Sequence, residues 1–108
     1  MSGTNLIADS NCNQIYLAQT TIDVASVAAN TTAEQTFTVN GLKTTDIVFV
    51  RKPSATAGLG VVNARVSAAN TLAITFVNAT ASPINPASET YLVAVFRPEN
   101  ALPTSVPA

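Results

Sequence analysis

Cys12 is the one thiol in a sequence that has no histidine. A thiolate nucleophile here would lack its usual base, and a zinc site of several thiolates cannot form within one chain. Carboxylates are the remaining acid–base groups. Asp23, Glu34, Asp46, Glu89 and Glu99 are scattered at predicted strand ends or turns, where capping a turn or facing solvent is the ordinary role. Gly58-Leu59-Gly60 lacks the following lysine and helix of a phosphate-cradling loop, so it reads as a hairpin tip. Asn30-Thr31-Thr32 and Asn78-Ala79-Thr80 fit the N-glycosylation pattern, which an Asn- and Thr-rich chain produces by chance. These residues predict no enzyme, no cofactor and no metal centre.

Only 10% of the 108 residues are charged, against about 25% in ordinary soluble domains, and the net charge is −1. A surface so poor in charge is weakly protected against association, which points to an assembly component, with a neutral-surfaced monomer as the alternative. Arg51-Lys52 is the only adjacent basic pair and reads as a strand end, so no nucleic-acid partner is expected. No run approaches the roughly 18 to 20 apolar residues of a membrane span, and Met1-Ser2-Gly3-Thr4-Asn5 lacks a basic region followed by an apolar one. The expectation is a protein made in the cytoplasm with no membrane partner.

Positioning elements are strands. Alternating Thr, Val, Ile and Phe broken by turn signals predict one all-β domain over residues 21–98, an antiparallel β-sandwich or jelly-roll-like fold. An N-terminal arm over 1–20 and a C-terminal tail over 99–108 flank it. Predicted strands cover 21–27 (Ile22 and Val24 on one face), 34–40 (Phe37 and Val39), 46–52, 61–67 (Val62, Ala64 and Val66), 71–78 (Leu72, Ile74 and Phe76) and 90–97. Pro53 and Pro98 end the third and sixth, and Asn40-Gly41 supplies a turn. Ala-rich pieces such as 25–29 are too short to stand as helices. Ala28-Ala29-Asn30-Thr31 and Ala68-Ala69-Asn70-Thr71 echo each other between strands, through a duplication or through one turn chemistry used twice, with Asn in the left-handed region.

Two strands depart from simple alternation. Ile47-Val48-Phe49-Val50 and Tyr91-Leu92-Val93-Ala94-Val95-Phe96 are apolar on both faces, so something beyond the sheet's own core must cover the second one. A neighbouring subunit, a long loop or the arm folded back are the alternatives. Val48, Val50, Val93 and Val95 are assigned to the outward face. The arm adds two apolar clusters, Leu6-Ile7 and Ile15-Tyr16-Leu17, each able to fill a shallow groove. These nine residues form the expected interface.

The stretch from Val27 to Val39, with Gly41-Leu42-Lys43 and Asp46-Ile47-Val48, resembles small structural proteins of tailed-bacteriophage virions. The run from Arg65 to Phe76, followed by Pro86 and Glu89-Thr90-Tyr91, looks like the same group, so the resemblance covers most of residues 21–98 and neither end. Within that group it is most similar to capsid decoration, or cement, proteins. The resemblance implies a virion location, binding to the major capsid protein or another virion protein, and a homo-oligomer, typically a trimer. It names no ligand residues. A tail or baseplate module is the alternative within the class. A host-surface carbohydrate-binding module is the alternative outside it, disfavoured by an aromatic content of 6% with no tryptophan, since sugars stack on such rings.

Overall fold

The computed structural model describes residues 11–106. Within them the β-branched, alternating segments become six strands and no helix. These are β1 (Cys12–Ile22), β2 (Thr31–Thr38), β3 (Ile47–Arg51), β4 (Leu59–Ala68), β5 (Thr71–Asn78) and β6 (Glu89–Pro98). They form two antiparallel three-stranded sheets, ordered β1-β6-β3 and β2-β5-β4, that enclose a small β-sandwich core. β6 and β5 occupy the centres, with a neighbour on either side.

Core residues come from alternate positions. Leu72, Ile74 and Phe76 on β5 face Tyr91, Val93 and Val95 on β6, with Ile22, Val48 and Val66 closing the sides. Each such large side chain removed from water contributes about 1.5–3 kcal/mol before ordering costs. Leu72, Ile74 and Phe76 point inward as the alternation requires.

Four sequence expectations need correction. Residues 12–20, expected in the arm, belong to the longest strand: β1 pairs along β6 from Cys12↔Pro98 to Ile22↔Glu89. An arm-like polar composition and an edge strand with one wet face look alike in sequence. The segment after Ile22 is not a strand. Val24 is buried there by packing, while Val27 bridges Ile84 in isolation. On β4 a bulge between Val61 and Asn63 turns Val61, Ala64 and Val66 inward and leaves Val62 59% exposed, a shift that strict alternation cannot register.

The fourth correction concerns the outward face. Val48, Val93 and Val95 are buried at 5%, 0% and 4% exposure, and Val50 packs beside them, so all four line the core. A strand that is apolar on both faces gives periodicity nothing with which to choose between them.

Turns follow the chemistry read from sequence. Asn30 and Asn70 both adopt positive φ, 54° and 62°, and Gly41 does so at 97°. Only the second tetrad closes a hairpin, joining β4 to β5, because β1 and β2 lie in different sheets.

Candidate interaction surface

The inward columns of β3 and β6 are closed at both ends by charge. At one end Arg97 donates from Nε to Asp46 Oδ1 and from Nη2 to Asp46 Oδ2, both at 2.8 Å. The Lys43 amide adds a bond to Asp46 Oδ2 at 2.9 Å, and Arg97 Nη2 also reaches the Gly41 carbonyl at 2.9 Å. The Arg97 guanidinium beside the buried Asp46 holds its carboxyl below the usual carboxylate range. At the other end Lys52 Nζ lies 2.7 Å from Glu89 Oε1 and donates to the Ser54 carbonyl at 2.9 Å, while the Ser54 hydroxyl donates to Glu89 Oε2. Each cation therefore meets an anion beside the core.

Turn residues tie the two sheets together around the Arg97 end. Asn70 Oδ1 accepts from the Gly41 amide at 2.7 Å, its backbone N–H donates to the Leu42 carbonyl at 2.9 Å, and its backbone carbonyl accepts from the Val39 amide at 2.9 Å. Tyr16 sits here with its ring 5.4 Å from the Arg97 guanidinium carbon. It belongs to the inner side of β1, opposite Val95, although its place near the rim leaves it 44% exposed.

The two outer faces of the sandwich differ in chemistry. On the β2-β5-β4 sheet the outward positions are largely polar, with Thr36, Glu34, Thr75, Asn63 and Arg65. Arg65 and Glu34 form a two-bond ion pair there, both bonds 2.9 Å, which lowers the Glu34 carboxyl pKa. On the β1-β6-β3 sheet the outward positions Ile15, Leu17, Leu92, Ala94, Phe96, Ile47 and Phe49 form an apolar patch matched across the strands by register, with Gln19, Thr21, Thr90 and Arg51 outward at one end. Leu17 is 70% exposed, Phe49 62%, Ile15 46% and Ile47 42%. Phe49 meets Phe96 edge-on, ring centres 5.9 Å apart. Toward one end a groove of about 290 Å³ opens between Phe49, Phe96, Ile47, Cys12 and Leu102 of the tail.

Of the nine expected interface residues, this face gathers Ile15 and Leu17. Tyr16 points to the other side of its strand, the four valines are internal, and Leu6 and Ile7 lie outside the described residues. Sequence reasoning missed Ile47, Phe49, Leu92, Ala94 and Phe96. One usable signal existed on β3, where Arg51 shares the parity of Ile47 and Phe49. It was countered on β6 by Arg97, which shares the parity of the buried Tyr91, Val93 and Val95 and is satisfied by Asp46.

Among the described residues no group of three His, Cys, Asp or Glu is placed to hold a metal ion, and no helix is long and apolar enough to cross a membrane. No protein family, no curated protein and no solved structure matches this chain.

Proposed function

We propose that the chain is a non-enzymatic structural protein of a tailed-bacteriophage virion, one that decorates the capsid and stabilises it by binding the shell of the major capsid protein. The observation that carries this reading is the two-sided chemistry of the sandwich: one outer sheet face is apolar and the other is polar and ion-paired. A decoration protein needs both, a dry contact for assembly and a wet side for the particle's exterior. The resemblance of residues 21–98 to virion proteins supplies the setting. The working form in this reading is a homo-oligomer, a trimer on the same resemblance. Several shell contacts made by one assembly strengthen one another through effective concentration, even when each is weak.

Immunogold electron microscopy of purified virions, with antibody raised against the isolated chain, tests the assignment. Gold over the heads is the expected result. Gold over tails would move the chain to a tail or baseplate role, and unlabelled virions would remove it from the particle.

A further inference from the structure

We propose that the outer face of the β1-β6-β3 sheet is the contact between copies of this chain. The proposal shares with the virion reading only the expectation of self-association, and does not depend on a phage setting.

The face is a three-stranded surface whose apolar patch is Ile15 and Leu17 on β1, Leu92, Ala94 and Phe96 on β6, and Ile47 and Phe49 on β3, bordered at one end by Gln19, Thr21 and Thr90. Arg51, at the end of β3, is the one charged residue in register with it. A patch without internal charge can be buried against another copy without stranding an unpaired charge, whether the copies meet face to face about a two-fold axis or around a three-fold one. The near-neutral chain, net −1, adds little repulsion when copies approach.

Area supports the same occupant. Ile15, Leu17, Ile47 and Phe49 are 46%, 70%, 42% and 62% exposed. At about 200 Å² for a fully exposed phenylalanine and about 120 Å² for an isoleucine or leucine, these four alone present roughly 300 Å² of apolar surface. A standard interface buries about 800 Å² per partner, a little over half of it apolar. These four therefore offer most of the apolar share that a stable contact between subunits needs, and the half-buried Leu92, Ala94 and Phe96 add to it.

A chain segment is a poorer match. Residues 1–10 bring only Met1, Leu6 and Ile7 as large apolar side chains, against seven outward apolar positions on the sheet. Leu102 of the tail already borders the groove at one end and leaves Leu17 exposed. The opposite sheet, with Glu34, Arg65 and five outward threonines, also shows that this sequence builds a solvated face where one is wanted.

The test is light scattering across a concentration series on the full-length parent and on Leu17→Lys and Phe49→Lys, with Thr36→Lys on the polar sheet as control. The parent is expected to be a discrete oligomer, both face variants monomers at tenfold higher concentration with the circular dichroism of the parent, and the control unchanged. Leu17→Gln, at a position so exposed that the isolated fold does not depend on it, keeps the result readable if a lysine variant fails to fold. A parent that stays monomeric at every concentration overturns the proposal and leaves the face to the chain's own terminus or to a different protein. An oligomer that survives Leu17→Gln and the lysine substitutions overturns it as well, because the contact then lies elsewhere.

Discussion

Asn78→Ala should be among the most damaging single substitutions in this domain. Asn78 ends β5 with its side chain fully buried, and its amide makes four hydrogen bonds. Nδ2 donates to the Val27 carbonyl at 3.0 Å and the Ser82 carbonyl at 2.9 Å, while Oδ1 accepts from the Thr80 amide at 2.9 Å and the Thr80 hydroxyl at 2.7 Å. At about 1 kcal/mol net per bond the set is worth roughly 4 kcal/mol. Two acceptors still find a donor: the Ile84 amide bonds to Val27 at 3.0 Å, and the Thr80 hydroxyl, released from Asn78 Oδ1, turns to the Ser82 carbonyl 2.8 Å away. The Thr80 amide is left without a partner. Setting the retained bonds against that orphan gives a loss of about 3 kcal/mol, a large part of the roughly 5–15 kcal/mol that holds a domain of this size. The melting temperature should fall by about 12–24 °C. Urea unfolding followed by circular dichroism measures it, with Gln35→Ala as a comparison. Gln35 also bonds a backbone twice, to the Ala25 amide at 2.8 Å and the Ala25 carbonyl at 2.9 Å, but from a half-buried position, so it should cost less. A loss below about 1 kcal/mol for Asn78→Ala would refute the view that this amide pins the 79–84 loop and Val27 to the sandwich.

Tyr91→Phe should stabilise the protein by about 1 kcal/mol, because the Tyr91 hydroxyl is buried without a hydrogen-bond partner and its removal ends that desolvation cost. Burial, with the Glu89 charge nearby, pushes the phenol up to about 12, above its unfolded value near 10. The parent's stability should therefore be intact below about pH 10 and fall as pH rises towards 12, and an alkaline titration should find Tyr91→Phe less affected. For Asp46 the sign is opposite. Its carboxyl is held low by Arg97, so the stabilisation it gives is present above about pH 4 and lost as pH falls through the folded value. Asp46→Asn should be clearly less stable than the parent at pH 7, and the gap between their melting temperatures should narrow below about pH 4. Gly58→Ala should destabilise by at least about 1 kcal/mol, since Gly58 has φ of 81° and an added Cβ would clash with Thr80 Cγ2. Thermal melts decide it, and an unchanged midpoint would show that the turn can adjust.

The fold class was legible because turn chemistry and alternation are local. The left-handed Asn30 and Asn70, the Gly41 turn and the inward Leu72, Ile74 and Phe76 all follow from residue type and spacing. What failed depended on pairing across the sheet. The bulge at Val61/Asn63 adds a residue without a compositional mark, and the polar residues of β1 gave no hint that Ile15 and Leu17 lie on a paired strand. The apolar outer face was half legible: the doubly apolar strands announced it, but the choice of side rested on ion pairs. Asp46 with Arg97 and Lys52 with Glu89 are far apart in sequence, so the charges at the ends of these columns looked like solvated strand ends until the register joined them.

The proposed decoration role is tested most directly by a cryo-electron-microscopy map of intact heads purified from the proposed phage. The map should place the six-stranded sandwich on the outside of the shell, with the Ile15, Leu17, Ile47 and Phe49 face packed against another copy of the chain and a separate surface on the capsid protein. Heads without the sandwich, or a sandwich whose apolar face stands bare in solvent, would contradict it.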